Sequence, residues 1–275
     1  MPKKNNQISE KTLLKWVKEG RGSGQGSGYR PWLTVRDLPS LGRVHRIFGH
    51  KSQRTHHLLS DLELAVFLLL EWLPEVTDIR EQFPLDRSLT KQLALDAGIR
   101  HPAQQGTDHF MSTDFLVNTT KESEPKYALQ VKYMNALDDE RTVEKLELER
   151  RYWVEKGIPW YLITEQQVPK AVLANVEWLY PAGRRTEEEE LPLEQIEFYH
   201  HHFSQAGNKT IIEVCKKLDT AYDLEPGESL GEVRILLAKR YFDFDFFTPI
   251  RKLKASQISA SDSRRIQEVY RVSNQ

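Results

Sequence analysis

The sequence predicts an α/β fold: a mixed β-sheet flanked by helices, followed by a smaller, mostly helical domain. Residues 110–117 and 127–132 have the pattern of two strands joined by a charged turn that ends at Pro125. A charged helix over 138–156 and an apolar strand over 158–164 follow, and a helix of that length can make the crossover that adds a parallel strand. Helical patterns predominate from Pro169 onward, so we expect two domains, residues 1–168 and 169–275.

Composition narrows the class of protein. The 275 residues can form more than one domain with a sizeable core, and the formal net charge of −1 hides local asymmetry. A single cysteine, Cys215, excludes an intramolecular disulfide framework and suits a reducing cytoplasm. Residues 1–7 lack the apolar part of a signal peptide, and no apolar run approaches membrane-spanning length. We therefore expect a cytoplasmic protein without membrane contact.

The first elements are a short amphipathic helix that begins near Ser9 and ends at Gly20, and a Gly/Ser-rich segment over 20–28. That segment lacks the Gly-Lys-Ser/Thr ending of a nucleotide-binding loop and no strand precedes it, so it is predicted to be a flexible loop. Candidate strands follow at residues 32–35 and 44–48.

The segment around these strands is locally basic. Its cationic side chains interleave with aromatic ones, which is typical of a surface that contacts DNA phosphates, although a solvated basic face fits equally well. Four histidines also lie here, but without cysteine partners or helical spacing they do not predict a zinc site. The candidate DNA-binding residues are Arg43, Arg46, Lys51 and Arg54.

A buried helix is predicted over residues 62–72. Ser60 with Glu63 forms a capping-box pattern, and the helix is apolar nearly all round. Glu63 can cap the helix, or it can reach a metal ion beside Asp114, and the sequence leaves both open. A strand over 76–83 is closed by Pro84, and residues 86–105 are predicted to be a weak strand or a loop.

The predicted hairpin carries a candidate active site. Gln130 and Lys132 are two residues apart and so share one face of their strand, and Asp114 can face them from the neighbouring strand at about 5–8 Å. Mg²⁺ prefers oxygen ligands, which Asp114, the Gln130 side chain and the Val131 carbonyl can supply. Lys132 can orient the attacking water or offset charge on phosphorus. The alternative is a strand-ending aspartate, a solvated glutamine and a surface ion pair.

Glu149 on the charged helix is the other acidic candidate. Pairing with Arg150 or Lys145 is the usual explanation for such a residue, and a role in the site is the alternative.

The C-terminal part has helical patterns over residues 172–180, 194–203, 209–222 and 230–240. A charged connection over 181–191 contains the acidic run 187–190, and the consecutive residues His200 to His202 point in different directions on a helix. Ser229 with Glu232 forms a second capping box, and residues 241–247 suggest an extended ribbon. Two helices, a turn and a ribbon predict a winged-helix-like C-terminal domain.

The order of elements and residues resembles the restriction-endonuclease-like nucleases, whose signature is Asp, a spacer and Asp/Glu-x-Lys. Gln130 stands where that signature has an acid. The chain resembles more closely the TnsA family, the endonuclease subunits of heteromeric Tns transposases, which use Gln-x-Lys. The resemblance implies that Glu63, Asp114, Gln130 and Lys132 match the active-site positions of that family. It is carried by residues 31–35 (PWLTV), 42–47 (GRVHRI), 56–68, 78–85, 111–117 and 144–153.

That resemblance implies a function and partners. The protein would be a Mg²⁺-dependent DNA endonuclease, with Mn²⁺ able to substitute and one or two ions held by Glu63, Asp114, Gln130 and Val131. It would cut the 5′ strand of double-stranded DNA at transposon ends beside a TnsB-like transposase. A TnsC-like ATPase would contact the C-terminal domain, and the protein would associate with the bacterial nucleoid when active. Two alternatives remain: an idle nuclease-fold adaptor, and a stand-alone restriction or junction-resolving nuclease.

Overall fold

The structure, a computed structural model, describes residues 9–37, 43–104, 106–183 and 193–261. The chain divides into two compact units, Met1–Val168 and Pro169–Gln275. In chain order the first unit contains α1 (Glu10–Lys18), β1 (His45–Gly49), β2 (Arg54–Leu58), α2 (Asp61–Trp72), β3 (Val76–Pro84), α3 (Arg87–Ala97), β4 (Ala103–Gln104), β5 (Thr107–Asp108), β6 (Ser112–Thr119), β7 (Lys126–Val131), α4 (Glu140–Glu155) and β8 (Trp160–Ile163).

A four-stranded mixed sheet organises the first unit, as the sequence predicts. Its strand order is β3-β6-β7-β8. The first two pairings are antiparallel, and β8 joins β7 in parallel with Leu129 opposite Tyr161. The crossover is α4, which begins at the Asp139 cap and ends before Gly157 at a positive φ of 65°. The expected mixed α/β architecture is therefore confirmed.

Helices pack on this sheet, and the apolar side chains between the helices and the sheet form the core. Leu148, Tyr152 and Trp153 of α4 pack with Leu116 and Ala128 of the sheet. The predicted helix over 62–72 is α2, whose first turn is capped by the Ser60 side chain. Burial of apolar side chains between the layers is the main source of stability for such a unit.

The prediction for residues 86–105 is wrong, because much of this stretch is the helix α3. Asp86 accepts a hydrogen bond from the Leu89 backbone N–H at 2.7 Å, and Gly98 ends the helix in the left-handed conformation. Leu89 and Leu93 pack against the sheet core, so the helix is fixed by tertiary contacts. Ala103–Gln104 forms β4, which pairs with β5.

The Gly/Ser-rich segment is folded onto the first unit and is not the flexible loop that the sequence predicts. The Tyr29 hydroxyl donates to the Glu81 carbonyl at 3.1 Å, and the Trp32 N–H donates to the Gln82 carbonyl at 3.2 Å. Residues 32–35 do not form the predicted strand, because Trp32 is buried against Trp16. The predicted strand over 44–48 is β1, which pairs with β2.

The second unit contains α5 (Lys170–Leu179), α6 (Leu193–Ser204), α7 (Ile211–Ala221), α8 (Glu228–Ala238), β9 (Phe242–Asp243) and β10 (Ser259–Ala260). The predicted Ser229 capping box is wrong: Gly227 precedes α8 at a φ of 95°, and the Asp219 carboxylate accepts the N–H groups of Gly227 and Ser229. The expected ribbon over 241–247 shortens to β9, which pairs with β10. The acidic connection over 187–190 lies outside the described residues.

Among the helices of the described ranges, none combines the length and the apolar composition that crossing a membrane requires.

Candidate active site

The hairpin of β6 and β7 brings the predicted site residues together. Phe115 pairs with Leu129, which places Asp114 opposite Gln130 at the end of the ladder. The Asp114 N–H donates to the Gln130 side-chain oxygen at 3.0 Å, and the Val131 N–H donates to Asp114 Oδ2 at 2.8 Å. Lys132 Nζ lies 3.5 Å from the same Oδ2 atom. Asp114, Gln130 and Lys132 therefore lie together at one end of the hairpin.

Gln130 has a positioning contact that the sequence does not reveal. Its side-chain oxygen is bound to the backbone of Asp114 and so fixes the strand that carries the carboxylate. A carbonyl oxygen has two lone pairs, so this bond leaves one acceptor position on that oxygen.

Glu63 enters the site from the first turn of α2. Its backbone N–H donates to Ser60 Oγ at 3.0 Å, and its Oε2 accepts the N–H of Leu59 at 2.9 Å. The same Oε2 is 3.4 Å from Gln82 Nε2, which lies 3.3 Å from Asp114 Oδ1. Glu63 therefore caps the helix, and Gln82 links its carboxyl group to that of Asp114.

The ionisation of this group depends on burial and on mutual charge. Burial raises the pKa of the Glu63 carboxyl to about 8, and the charge of Asp114 adds to the effect. Burial alone lowers the pKa of the Lys132 ammonium, but Asp114, Glu149 and Glu63 outweigh it, so that this pKa lies above its ordinary value. The neutral form of Glu63 and the charged form of Lys132 are therefore favoured at neutral pH.

The donor set fits a hard divalent cation. The described residues contain no group of three or more His, Cys, Asp or Glu side chains that could hold a metal, and the oxygens that lie close together here come from Asp114, the Val131 carbonyl and the Gln130 side chain. Lys132 Nζ donates to the Val131 carbonyl at 2.9 Å and lies 3.5 Å from Asp114 Oδ2. The Lys132 ammonium thus lies close to both the Val131 carbonyl oxygen and Asp114 Oδ2, two oxygens that are expected to bind the metal ion.

Glu149 is buried beside the site, and the predicted surface pairing of Glu149 is wrong. Thr113 Oγ1 and Trp160 Nε1 donate to Glu149 Oε1, the latter at 3.0 Å. Arg150 instead pairs with Glu147 at 2.7 Å. Burial raises the pKa of Glu149 to about 8, the two hydrogen bonds oppose that rise and the charge of Asp114 adds to it.

Gln82 is the residue that the sequence analysis missed. The sequence does contain a signal. Asp78, Arg80 and Gln82 are two residues apart, and so they share one side of the predicted strand. Nothing in that pattern shows, however, that the amide lies between Glu63 and Asp114.

The four candidate DNA-binding residues separate into two groups. Arg43 and Arg46 are exposed. Lys51 Nζ donates to the Val76 carbonyl at 2.6 Å. Arg54 is buried and donates to Glu81 at 2.8 Å, a position that does not fit a phosphate contact. The sequence does not reveal that Arg54 is buried, because a basic pattern does not show which cations form ion pairs inside the fold.

Comparison with known proteins gives two family matches and one full-length relative. A family model described as "TnsA-like endonuclease N terminal" matches residues 73–165, and one described as "TnsA endonuclease C terminal" matches residues 167–246. The chain is 48% identical over 274 residues to the Escherichia coli protein "Transposon Tn7 transposition protein TnsA", with 100% of each chain covered.

Proposed function

The chain belongs to the TnsA endonuclease family, and on that premise we propose that it is a Mg²⁺-dependent DNA endonuclease subunit of a cut-and-paste transposase. It hydrolyses the 5′ strand at the transposon ends. The observation that carries the proposal is the convergence of the Asp114 carboxylate, the Val131 carbonyl and the Lys132 ammonium, with Glu63 linked to them through one amide.

Glu63, Asp114 and the Val131 carbonyl would hold the ion, with the Gln130 side-chain oxygen as a further ligand. Mn²⁺ is expected to substitute, with one or two ions per site. When bound, the ion supplies Lewis-acid polarisation of the phosphate and lowers the pKa of bound water.

The residues of the chain supply the rest of the chemistry. The Val131 N–H holds Asp114 Oδ2 at 2.8 Å and so fixes the carboxylate. Lys132 keeps its charge because three carboxyl groups surround it, and about a third of its side chain is exposed. Its ammonium is therefore available to stabilise negative charge on phosphorus or to orient water. Glu63 would have to lose its proton before its carboxylate oxygens could hold the ion.

Double-stranded DNA at the transposon ends and two proteins are the proposed partners. Arg43 and Arg46 are exposed and suit contact with phosphates. A TnsB-like transposase would cut the other strand, and a TnsC-like ATPase would dock on the second unit.

A winged-helix-like second unit is part of this proposal. Helices α7 and α8 are followed by the paired strands β9 and β10, which is consistent with it. Arg234 on α8 donates to the Trp178 carbonyl at 2.7 Å and lies over the Trp178 ring. A cation held in this way favours a protein-binding role for the unit over base recognition.

Replacing Asp114 tests the proposal. In a reaction with the partner transposase and ATPase, Asp114→Ala and Lys132→Ala should each abolish 5′-strand cutting, since each removes a charge from the site. Binding to the partner proteins, measured by pull-down, should be unchanged. Asp96→Ala, at an exposed position on α3, is the matched control. Persistent 5′-strand cutting by Asp114→Ala would leave the idle-adaptor alternative standing.

A further inference from the structure

Gln82 lies between the two carboxylates of the candidate site. Its side chain is 2% exposed, and Nε2 is 3.4 Å from Glu63 Oε2 and 3.3 Å from Asp114 Oδ1. Ser112 Oγ donates to the Gln82 side-chain oxygen at 3.3 Å. The amide nitrogen of Gln82 thus faces the carboxyl groups of Glu63 and Asp114, and its oxygen faces Ser112.

The backbone of Gln82 is held in an unusual conformation. Its φ is +48°, in a region that residues with a Cβ rarely adopt. The neighbouring pairs Glu81 with Phe115 and Phe83 with Thr113 stay in register on either side. Non-glycine outliers of this kind persist only where surrounding contacts impose them, and they cluster at functional sites.

The glycine-rich segment and the residues directly after it supply those contacts. The Trp32 N–H donates to the Gln82 carbonyl at 3.2 Å, and the Tyr29 hydroxyl donates to the Glu81 carbonyl at 3.1 Å. Gly22 is so close to Pro84 that a Cβ there would overlap the proline ring. The segment thus packs against the last residues of β3 and keeps Gln82 turned toward Glu63 and Asp114.

We propose that Gln82 is a positioning residue of the cation site: its amide ties the Glu63 carboxylate to the Asp114 carboxylate, so that both face one ion. The inference rests on the proposed function. Outer groups that orient metal ligands typically change metal affinity by about 10-fold or more when they are replaced. Gln82 does not contact substrate in this role, and it acts only through the two carboxylates.

Mn²⁺ affinity of the full-length protein, measured by calorimetry and by electron paramagnetic resonance of free Mn²⁺, tests the inference. Gln82→Met keeps the side-chain length but removes both N–H groups, and it should bind Mn²⁺ about 10-fold more weakly than wild type. Gln92→Met, at an exposed position of α3, should bind like wild type. A folded Gln82→Met protein with wild-type affinity would overturn the inference. Absence of Mn²⁺ binding by wild type would instead overturn the proposed metal dependence.

A second variant covers the case in which Gln82→Met does not fold. Gln82→Asn keeps the amide, and asparagine tolerates the positive φ at this position, but the side chain is shorter by one methylene and should not reach both carboxyl groups. We expect it to bind Mn²⁺ more weakly than wild type and to show a smaller rise in Tm at saturating Mn²⁺. Equal affinity and an equal Tm rise in Gln82→Asn and wild type would contradict the inference.

Discussion

At the scale of single residues, Glu149 shows how the interior of the first unit sets the charge of a carboxyl group. The side chain is buried, and its partners are a threonine hydroxyl and an indole N–H, neither of which carries a charge. Because burial disfavours the ionised form of Glu149 and the charge of Asp114 adds to that effect, the pKa is raised and the neutral form is favoured up to about pH 8. The site therefore keeps a protonated carboxyl group close to Asp114.

This protonation predicts a pH dependence of stability. The pKa of Glu149 is raised from 4.5 to about 8 in the folded chain, so its contribution is fully present below pH 4.5 and is lost as the pH rises to about 8. The loss is on the order of 5 kcal/mol at most, since each unit of pKa shift corresponds to about 1.4 kcal/mol. Glu149→Gln cannot ionise, so its free energy of unfolding should fall less between pH 5 and pH 8. Urea unfolding followed by tryptophan fluorescence measures this.

Glu155→Gln, an exposed position at the end of the same helix, is the matched control for Glu149→Gln. If Glu149→Gln and wild type lose stability equally between pH 5 and pH 8, the raised pKa of Glu149 is contradicted.

Sequence alone could locate some of these residues because strand geometry is local. Alternation along β7 places Gln130 and Lys132 on one face, and the hairpin brings Asp114 opposite. Glu149 and Gln82 could not be located in this way, because their contacts join residues far apart in the chain. Thr113 is 36 positions from Glu149, and Asp114 is 32 positions from Gln82.

At the scale of elements, the glycine-rich segment supports the edge strand β3 of the sheet. Gly22 has a φ of +79° and packs directly on Pro84, so both conformation and space require glycine there. Gly28 has open space around it and no such conformation. The two glycines therefore form a natural pair for comparing a required glycine with a tolerant one.

We expect Gly22→Ala to lower the free energy of unfolding by about 2–3 kcal/mol, because the methyl group overlaps Pro84 and strains the backbone. Gly28→Ala should stay within about 0.5 kcal/mol of wild type. Urea denaturation of both variants measures the difference. Equal stability of the two proteins would mean that the segment is not held against β3.

Elements with their own end signals were predicted best. Helix α2 has the Ser60 cap, and α4 ends before Gly157, so local capping agrees with the final structure. Helix α3 has similar end signals, the capping residue Asp86 and the terminating residue Gly98, although its sequence is predicted to be a weak strand or a loop. The predicted strand over residues 32–35 is absent for a different reason. Trp32 packs between Trp16 and Phe110, and this tertiary contact overrides the strand propensity of the segment.

At the scale of the whole molecule, charge explains why the nuclease would depend on partners. Of the four basic residues expected to contact DNA, Lys51 and Arg54 are bound within the first unit. Arg43 and Arg46 are the two left exposed, and affinity for DNA scales with the number of phosphates neutralised. The predicted DNA-binding segment therefore offers two exposed cations to phosphates, which favours weak binding by this segment at physiological salt.

The isolated protein is therefore expected to be nearly inactive. Supercoiled plasmid carrying transposon ends should remain intact with the purified chain and Mg²⁺ alone, because DNA is held in the site too briefly for hydrolysis. Adding the partner transposase and ATPase should give breaks at the ends, scored by gel electrophoresis, and Asp114→Ala in the same mixture should leave the 5′ strands uncut. Efficient cutting by the single chain at physiological salt would contradict the dependence on partners and favour the stand-alone nuclease.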